Sequence, residues 1–129
     1  MPSAASMRVL VVDDQQSMRL LVRDGLTKLG FTDVDEAGDG EDGLRRQIAN
    51  PAQLVIADFN MPKLDGIALL RAIRLHPPTS KTAYIMLTGR ADKDLVQKAV
   101  QFGVNNYIVK PFTVETLREK IEAVFGPLT

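Results

Sequence analysis

Four short stretches of the chain each end in a polar side chain that could take part in chemistry. One apolar run reaches the acid pair Asp13 and Asp14, and others reach Asp58, Thr88 and Lys110. Parallel strands place their carboxyl ends at one edge of a sheet, where functional groups of such proteins collect. We therefore expect three carboxylates, a hydroxyl and an ammonium group to share one crevice.

Three carboxylates in one crevice require positive charge beside them. Two like charges about 4 Å apart repel by roughly 4 kcal/mol at an effective dielectric constant near 20. Lys110 and a divalent cation would offset that repulsion, and Mg²⁺ suits a site with few carboxylates, water and a phosphoryl oxygen. One carboxylate could then attack phosphorus and form an aspartyl phosphate. Asp58 is the expected nucleophile because it stands alone at its strand end.

The elements that would position these groups follow from the hydrophobic pattern. Short β-branched runs alternate with amphipathic segments, which is typical of an α/β fold whose parallel sheet is covered on both faces. The predicted strands are 8–12, 33–37, 54–57, 84–87 and 107–109. We predict a doubly wound, flavodoxin-like (βα)5 arrangement with a five-stranded parallel sheet in the order 2-1-3-4-5, which makes the first and third strands neighbours.

Helices are predicted between these strands from apolar residues at helical spacing. Gly30 and Gly103 follow two of the periodic segments and suit left-handed C-caps, and Thr113 is a candidate N-cap for the last helix. The second helix, near 42–49, has the weakest pattern because it contains a glycine. Charged positions such as Arg74 are expected on solvated helix faces.

Composition restricts the class of protein. The chain has 129 residues, no cysteine, one histidine, and 16 basic against 16 acidic side chains. Disulfides and thiolate metal sites are therefore excluded, and the balanced charge argues against binding to DNA or to an anionic membrane. Because no apolar run approaches the ~20 residues that span a bilayer, we expect a cytoplasmic protein. Residues 1–6 are predicted to be a flexible tail, and residues 7–129 a single domain.

Four motifs together resemble those of a known family. They are LVVDD at 10–14, ADFNMPKLDG at 57–66, MLT at 86–88 and YIVKPF at 107–112. In this order and spacing they resemble the receiver domain of bacterial two-component response regulators, and among receivers the chain is most similar to the stand-alone, CheY-like members. The resemblance covers nearly the whole chain from residue 7, and four motifs in agreement make it specific.

The resemblance implies a role for each site residue. Asp58 would accept a phosphoryl group from a sensor histidine kinase or a histidine phosphotransfer protein. Asp14 and Asp58 would hold Mg²⁺ directly with the backbone carbonyl of Asn60, and Asp13 would act through a bound water. Lys110 would bind a phosphoryl oxygen, and its peptide bond to the following proline would be cis.

The resemblance also implies a switch. Thr88 would move toward the phosphoryl group and Tyr107 would swing inward, which would reshape the face formed by the fourth helix, fifth strand and fifth helix. A downstream protein would bind that face. The protein would be a monomeric signalling component of chemotaxis or a related two-component pathway, catalysing only its own phosphorylation and dephosphorylation. At two positions near the site, Phe59 and Arg90, the residue type differs from that of the best-known members of the family.

Other functions are compatible with parts of this pattern. A receiver could instead relay phosphoryl groups or act as a phosphate sink. A phosphohydrolase of the haloacid dehalogenase type would need an acid two residues after the nucleophile, where this chain has Asn60. A flavodoxin would need a donor-rich loop after the first strand, where Asp13 and Asp14 would repel a phosphate. A receiver-like interaction module would not need the complete set of site residues.

Overall fold

The computed structural model describes residues 3–89 and 93–129. Arg90, one of the two departures from the family pattern, lies outside the described residues. Within the described ranges the strands are β1 (Arg8–Val12), β2 (Asp33–Ala37), β3 (Leu54–Asp58), β4 (Ala83–Thr88) and β5 (Asn106–Val109). The α-helices are α1 (Gln16–Lys28), α2 (Gly40–Ala49), α3 (Gly66–Leu75), α4 (Lys93–Gln101) and α5 (Val114–Phe125).

The strands form one parallel sheet in the order β2-β1-β3-β4-β5, which confirms the predicted order. The register pairs Val12 with Ala57, and Asp58 with Leu87. At the far side of the sheet, Thr88 pairs with Val109. The carboxyl ends of four strands therefore stand level at one edge, where the sequence predicts the reactive groups.

The sheet separates two apolar layers because successive side chains of a strand point to opposite faces. Val9 and Val11 of β1 pack in the layer that contains Leu26 of α1 and the buried residues of α5. Their neighbours on the other face, Leu10 and Val12, belong to the layer under α3. Every residue of β3 and of β4 is buried, as expected for central parallel strands covered on both faces.

The predicted helix ends are confirmed at three positions. Gly30 and Gly103 adopt φ values of 99° and 89°, in the left-handed region that favours glycine. The Thr113 hydroxyl accepts a hydrogen bond from the Thr116 N–H at the start of α5. The two glycines mark the ends of α1 and α4 and so set where β2 and β5 enter the sheet. The Thr113 cap marks the beginning of α5, just after β5 leaves the sheet.

Helix α2 begins two residues earlier than predicted. The Asp39 side chain caps it by accepting from the Asp42 N–H at 2.8 Å. Gly40 in its first turn lies so close to the loop after β3 that an added Cβ would be 1.9 Å from the Leu64 carbonyl oxygen. Gly43 packs on β1, where an added Cβ would be 2.9 Å from a Val12 methyl group. The glycines that weaken the helical pattern are thus required by close packing.

The segment before β1 differs from the expected flexible tail at residues 3–6. Ala4–Ser6 forms a short 3-10 turn, and Ala4 is only 1% exposed. Its N–H donates to the Thr129 carbonyl oxygen, and its methyl group lies beside Gly30, where a Cβ added to the glycine would be 3.6 Å away, an ordinary van der Waals contact. Among the described helices, none has the length and apolar character needed to cross a membrane.

Candidate functional site

Three carboxylates meet at the carboxyl edge of the sheet. Asp13, Asp14 and Asp58 each offer an oxygen within 4.8 Å of the others. Asp13 and Asp14 follow β1, and Asp58 is the last residue of the neighbouring β3. Asp13 is fully buried, Asp58 is 6% exposed and Asp14 is exposed. The predicted convergence of acids from two separate strand ends is therefore present.

Lys110 completes the cluster from the end of β5. Its ammonium nitrogen lies 2.6 Å from Asp58 Oδ1 and 3.7 Å from Asp13 Oδ2. The Lys110 N–H donates to the Thr88 carbonyl oxygen at 2.8 Å, so the lysine is anchored to the adjacent strand. The Lys110–Pro111 peptide bond is cis, as the family resemblance implies.

Asp13 carries its charge in an unfavourable place. Burial raises the pKa of its carboxyl group, and the neighbouring Asp58 carboxylate adds to that rise, while the Gln15 N–H and the Lys110 ammonium oppose it. Its Oδ1 accepts from the Gln15 N–H at 2.9 Å, but the buried Oδ2 has no hydrogen-bond partner among residues 3–89 and 93–129. A buried acceptor of this kind, beside two further carboxylates, fits a hard divalent cation such as Mg²⁺.

A cleft of about 410 Å³ opens from this cluster to the surface. Its walls include Asp14, Asp58, Asn60 and Lys110. Asn60 thus lies where the sequence places it, at the rim of the acid cluster, while Asp13 lies beneath. A small phosphorylated group has direct access to the Asp58 carboxylate through this cleft.

The two predicted switch residues occupy different places. Thr88 ends β4, is 2% exposed, and lines a larger groove of about 970 Å³ between α3 and α4, together with Phe59 and Asn60. Tyr107 lies half-buried on β5, with the Lys120 ammonium 5.0 Å from its ring centroid. The movement assigned to these two residues stays a prediction.

Two linked hydrogen bonds support the backbone at the end of β3, where Asp58 lies. The Gly66 N–H donates to the Phe59 carbonyl oxygen at 2.8 Å, and the Gly66 carbonyl accepts from the buried Tyr84 hydroxyl at 2.7 Å. A Cβ on Gly66 would lie 2.6 Å from the Asp58 carbonyl oxygen, so only glycine allows this approach. Burial raises the pKa of Tyr84 far above its usual value and keeps the hydroxyl a donor.

Sequence reasoning missed Arg19, which contacts the acid pair through the backbone. Its Nη1 donates to the Asp13 carbonyl oxygen at 2.5 Å, and its Nε lies 3.3 Å from a Glu36 carboxylate oxygen. Nothing in the local pattern of α1 distinguishes Arg19 from Arg23. Only the packing of α1 beside β2 brings Glu36 into reach.

Comparison with known proteins agrees with this geometry. Residues 9–122 match the family described as the response regulator receiver domain. A probable chemotaxis protein CheY of Rhizobium etli is 52% identical over 128 residues, covering 99% of both chains. The chemotaxis protein CheY of Pseudomonas aeruginosa is 41% identical over 119 residues, covering 92% of this chain and 96% of that protein.

Solved structures give the same result at the level of the fold. The chemotaxis response regulator CheY4 of Vibrio cholerae superposes with a TM-score of 0.86 at 31% identity, over 92% of this chain and 98% of that one. A CheY of Borrelia burgdorferi, solved in a complex with CheX, BeF3 and Mg²⁺, has a TM-score of 0.86 at 28% identity, over 92% and 89% of the two chains. With its matching motifs, sheet order and clustered acids, the chain belongs to the response regulator receiver domain family and is homologous to the CheY chemotaxis proteins.

Proposed function

We propose that this protein is a phosphoacceptor switch that takes a phosphoryl group from a sensor histidine kinase, or a histidine phosphotransfer protein, onto Asp58. The observation that carries the proposal is the Lys110 ammonium 2.6 Å from Asp58 Oδ1, inside a cluster of three carboxylates that opens to solvent. A lone aspartate at a strand end would not need this surrounding charge.

The transfer is a displacement at phosphorus. A carboxylate oxygen of Asp58 forms the new bond to phosphorus, and the bond from phosphorus to the donor nitrogen breaks. The departing imidazole keeps that electron pair. Lys110 stabilises the negative charge that gathers on the phosphoryl oxygens, because its ammonium group already lies at the reacting carboxylate.

The acid cluster suits Mg²⁺ as the accompanying cofactor. Asp14, Asp58 and the backbone carbonyl of Asn60 would hold the ion directly, and Asp13 would contribute through a water molecule. When bound, the ion supplies further positive charge for the phosphoryl oxygens. The buried Oδ2 of Asp13 supports this assignment, because it has no hydrogen bond within the described chain and the Lys110 ammonium, 3.7 Å away, offsets its lost hydration only in part.

The neighbourhood of Asp58 favours a switch over an efficient phosphohydrolase. The residue two positions after Asp58 is Asn60, whose amide cannot donate the proton that a leaving alcohol requires. Turnover of small phosphate esters is therefore not the proposed activity. Instead, phosphorylated Asp58 would draw Thr88 and Tyr107 into a new arrangement.

The output is a contact with another protein. The proposed surface is the face formed by α4, β5 and α5, on which Tyr107 lies next to Lys120. The protein would act as a monomer in the cytoplasm, in chemotaxis or a related two-component pathway. A coupling free energy of about 1 to 3 kcal/mol between phosphorylation and partner binding is sufficient for such a switch.

Intact-mass spectrometry tests the proposal. With acetyl phosphate and Mg²⁺, the wild-type protein is expected to gain one phosphoryl group, and Asp58→Asn is expected to gain none. Asp24→Asn is the matched control, because Asp24 is an exposed acid of α1 that pairs with Lys28. Equal labelling of Asp58→Asn and the control would overturn the assignment of Asp58.

A further inference from the structure

Arg19 connects three parts of the chain beside the acid cluster. It lies in the first turn of α1, and its side chain is only 18% exposed. One nitrogen donates to the Asp13 carbonyl oxygen at 2.5 Å, and another lies 3.3 Å from Glu36 on β2. The guanidinium also lies against Gly38, where an added Cβ would be 3.7 Å away.

The carbonyl that Arg19 holds belongs to the peptide unit between Asp13 and Asp14. The orientation of that unit determines the directions in which the two carboxylates leave the backbone. The Asp13 N–H is already fixed, because it donates to the Ala37 carbonyl oxygen at 3.1 Å. Arg19 fixes the carbonyl of the same residue, and with it the Asp13–Asp14 peptide unit, through a charge-assisted hydrogen bond, which is stronger than a bond between neutral groups.

Glu36 holds Arg19 in turn. Its two carboxylate oxygens are divided between Arg19 at 3.3 Å and Arg23 at 2.6 Å. Glu36 is in β2 opposite Val11 of β1, so it is placed by the sheet itself. The rigid sheet therefore sets the direction from which the Arg19 guanidinium approaches Asp13.

We propose that Arg19 is a positioning residue that orients the Asp13–Asp14 pair for Mg²⁺, with Glu36 holding Arg19 in place. The inference rests on the proposed function, since it assigns a role toward the ion that the acid cluster would bind. Arg19 itself touches neither the ion nor the phosphoryl group. It acts only through the Asp13 carbonyl.

Positioning and simple charge predict opposite effects of removing Arg19. A guanidinium near three carboxylates repels an incoming cation, so its charge alone would weaken Mg²⁺ binding, and neutralisation would strengthen it. If Arg19 orients the acid pair, its loss weakens Mg²⁺ binding despite the favourable change in charge. The sign of the change separates the two explanations.

Arg23 provides the matched control. It lies on the same helix, one turn after Arg19, and its guanidinium pairs with the same Glu36. Its side chain is 46% exposed, against 18% for Arg19. Arg23→Gln therefore removes the same charge and an ion pair to the same carboxylate, and leaves the bond from Arg19 to Asp13 in place.

Isothermal titration of the unphosphorylated proteins with Mg²⁺ alone tests the inference. Arg19→Gln is expected to bind Mg²⁺ about tenfold more weakly than wild type, the effect typical of losing an outer partner of a metal ligand. Arg23→Gln is expected to stay within about twofold of wild type. Labelling of Arg19→Gln by acetyl phosphate should approach the wild-type rate at saturating Mg²⁺, because the defect lies in binding the ion.

An affinity of Arg19→Gln that equals or exceeds that of Arg23→Gln overturns the inference. The inference also fails if Arg19→Gln only melts at a lower temperature while its Mg²⁺ affinity is unchanged, since that is the mark of a merely structural arginine. If Arg19→Gln does not fold, Arg19→Lys decides: a clear weakening of Mg²⁺ binding supports positioning, and wild-type affinity overturns it. A wild-type protein that binds no Mg²⁺ would instead contradict the proposed function.

Discussion

The Lys110 ammonium nitrogen lies 2.6 Å from Oδ1 of Asp58, at the boundary between the buried sheet and the open cleft. The same nitrogen lies 3.7 Å from Asp13, which is fully buried. One cation thus serves two carboxylates from different strand ends. This relationship makes Lys110 both a stabilising charge and a candidate ligand for an incoming phosphoryl group.

Replacing Lys110 with alanine is expected to destabilise the protein without preventing Mg²⁺ binding. Loss of the ammonium leaves the acid cluster without its internal cation, at a cost of about 2 kcal/mol, below that of a fully buried pair because Lys110 is 20% exposed. Urea unfolding in the absence of metal measures this loss. Added Mg²⁺ should restore more stability to Lys110→Ala than to wild type.

Lys28→Ala is the control for that experiment. Lys28 pairs with Asp24 on the surface of α1, and both side chains are more than half exposed. Its removal should change the free energy of unfolding by about 0.5 kcal/mol or less. Equal destabilisation of the two lysine variants would contradict the role given to Lys110.

Asp13→Asn is expected to stabilise the metal-free protein while weakening Mg²⁺ binding. The substitution removes a buried charge, and the new amide replaces a carboxylate oxygen that has no hydrogen-bond partner in the described parts of the chain. We expect a gain of about 1 kcal/mol in the free energy of unfolding at neutral pH. Asp24→Asn, on the exposed face of α1, should produce neither effect.

The advantage of Asp13→Asn should depend on pH in a defined direction. Because the pKa of Asp13 is raised above 3.8 in the folded protein, wild type loses stability as pH rises through that higher value. Below about pH 3 the carboxyl group is mostly protonated in both states, because its pKa in the unfolded chain is 3.8, and the two proteins should be nearly equally stable there. Denaturation in the presence of a chelator, at several pH values, measures the difference. A difference that shrinks as pH rises would show that the Asp13 charge is not a cost.

Tyr84→Phe tests whether the hydrogen bonds through Gly66 support Asp58 as the proposed phosphoacceptor. The substitution removes only the hydroxyl that donates to Gly66, at a cost of about 1 kcal/mol in stability. It should also slow labelling of Asp58 by acetyl phosphate, because Gly66 contacts the Asp58 and Phe59 backbone.

Thr79→Val is the matched control for Tyr84→Phe. Thr79 is also buried, and its hydroxyl donates to the Ile73 carbonyl oxygen at 2.9 Å, near the opposite end of α3. A similar loss of stability with unchanged labelling is expected. If both variants slow labelling equally, the effect reflects general destabilisation, and the hydrogen bonds through Gly66 have no special role in supporting Asp58.

The sequence predicts the sheet and the main site because both follow from short patterns of neighbouring residues. Hydrophobic runs locate four of the five strands to within a residue or so, and the polar residues that follow those four runs identify the reactive edge. Asp13, Asp14, Asp58 and Lys110 are therefore predicted together from the strand ends. Their convergence needs only the strand order and the parallel direction.

Contacts between distant segments were not predictable in this way. Arg74 has the pattern of a solvated helix residue, and that interpretation is wrong, since its guanidinium donates to the Thr82 carbonyl at 2.6 Å and to the Gly103 carbonyl at 2.8 Å. Arg19 is missed for the same reason. In each case the acceptor belongs to a loop or strand whose position only the folded chain defines.

The most direct test locates the phosphoryl group on the chain. Wild-type protein treated with acetyl phosphate and Mg²⁺ is reduced with borohydride, which converts an aspartyl phosphate to homoserine, and its peptides are sequenced by tandem mass spectrometry. The proposed function predicts homoserine at position 58 and aspartate at positions 13 and 14. Homoserine at either of those two positions, or at none of the three in a protein that binds Mg²⁺, would contradict it.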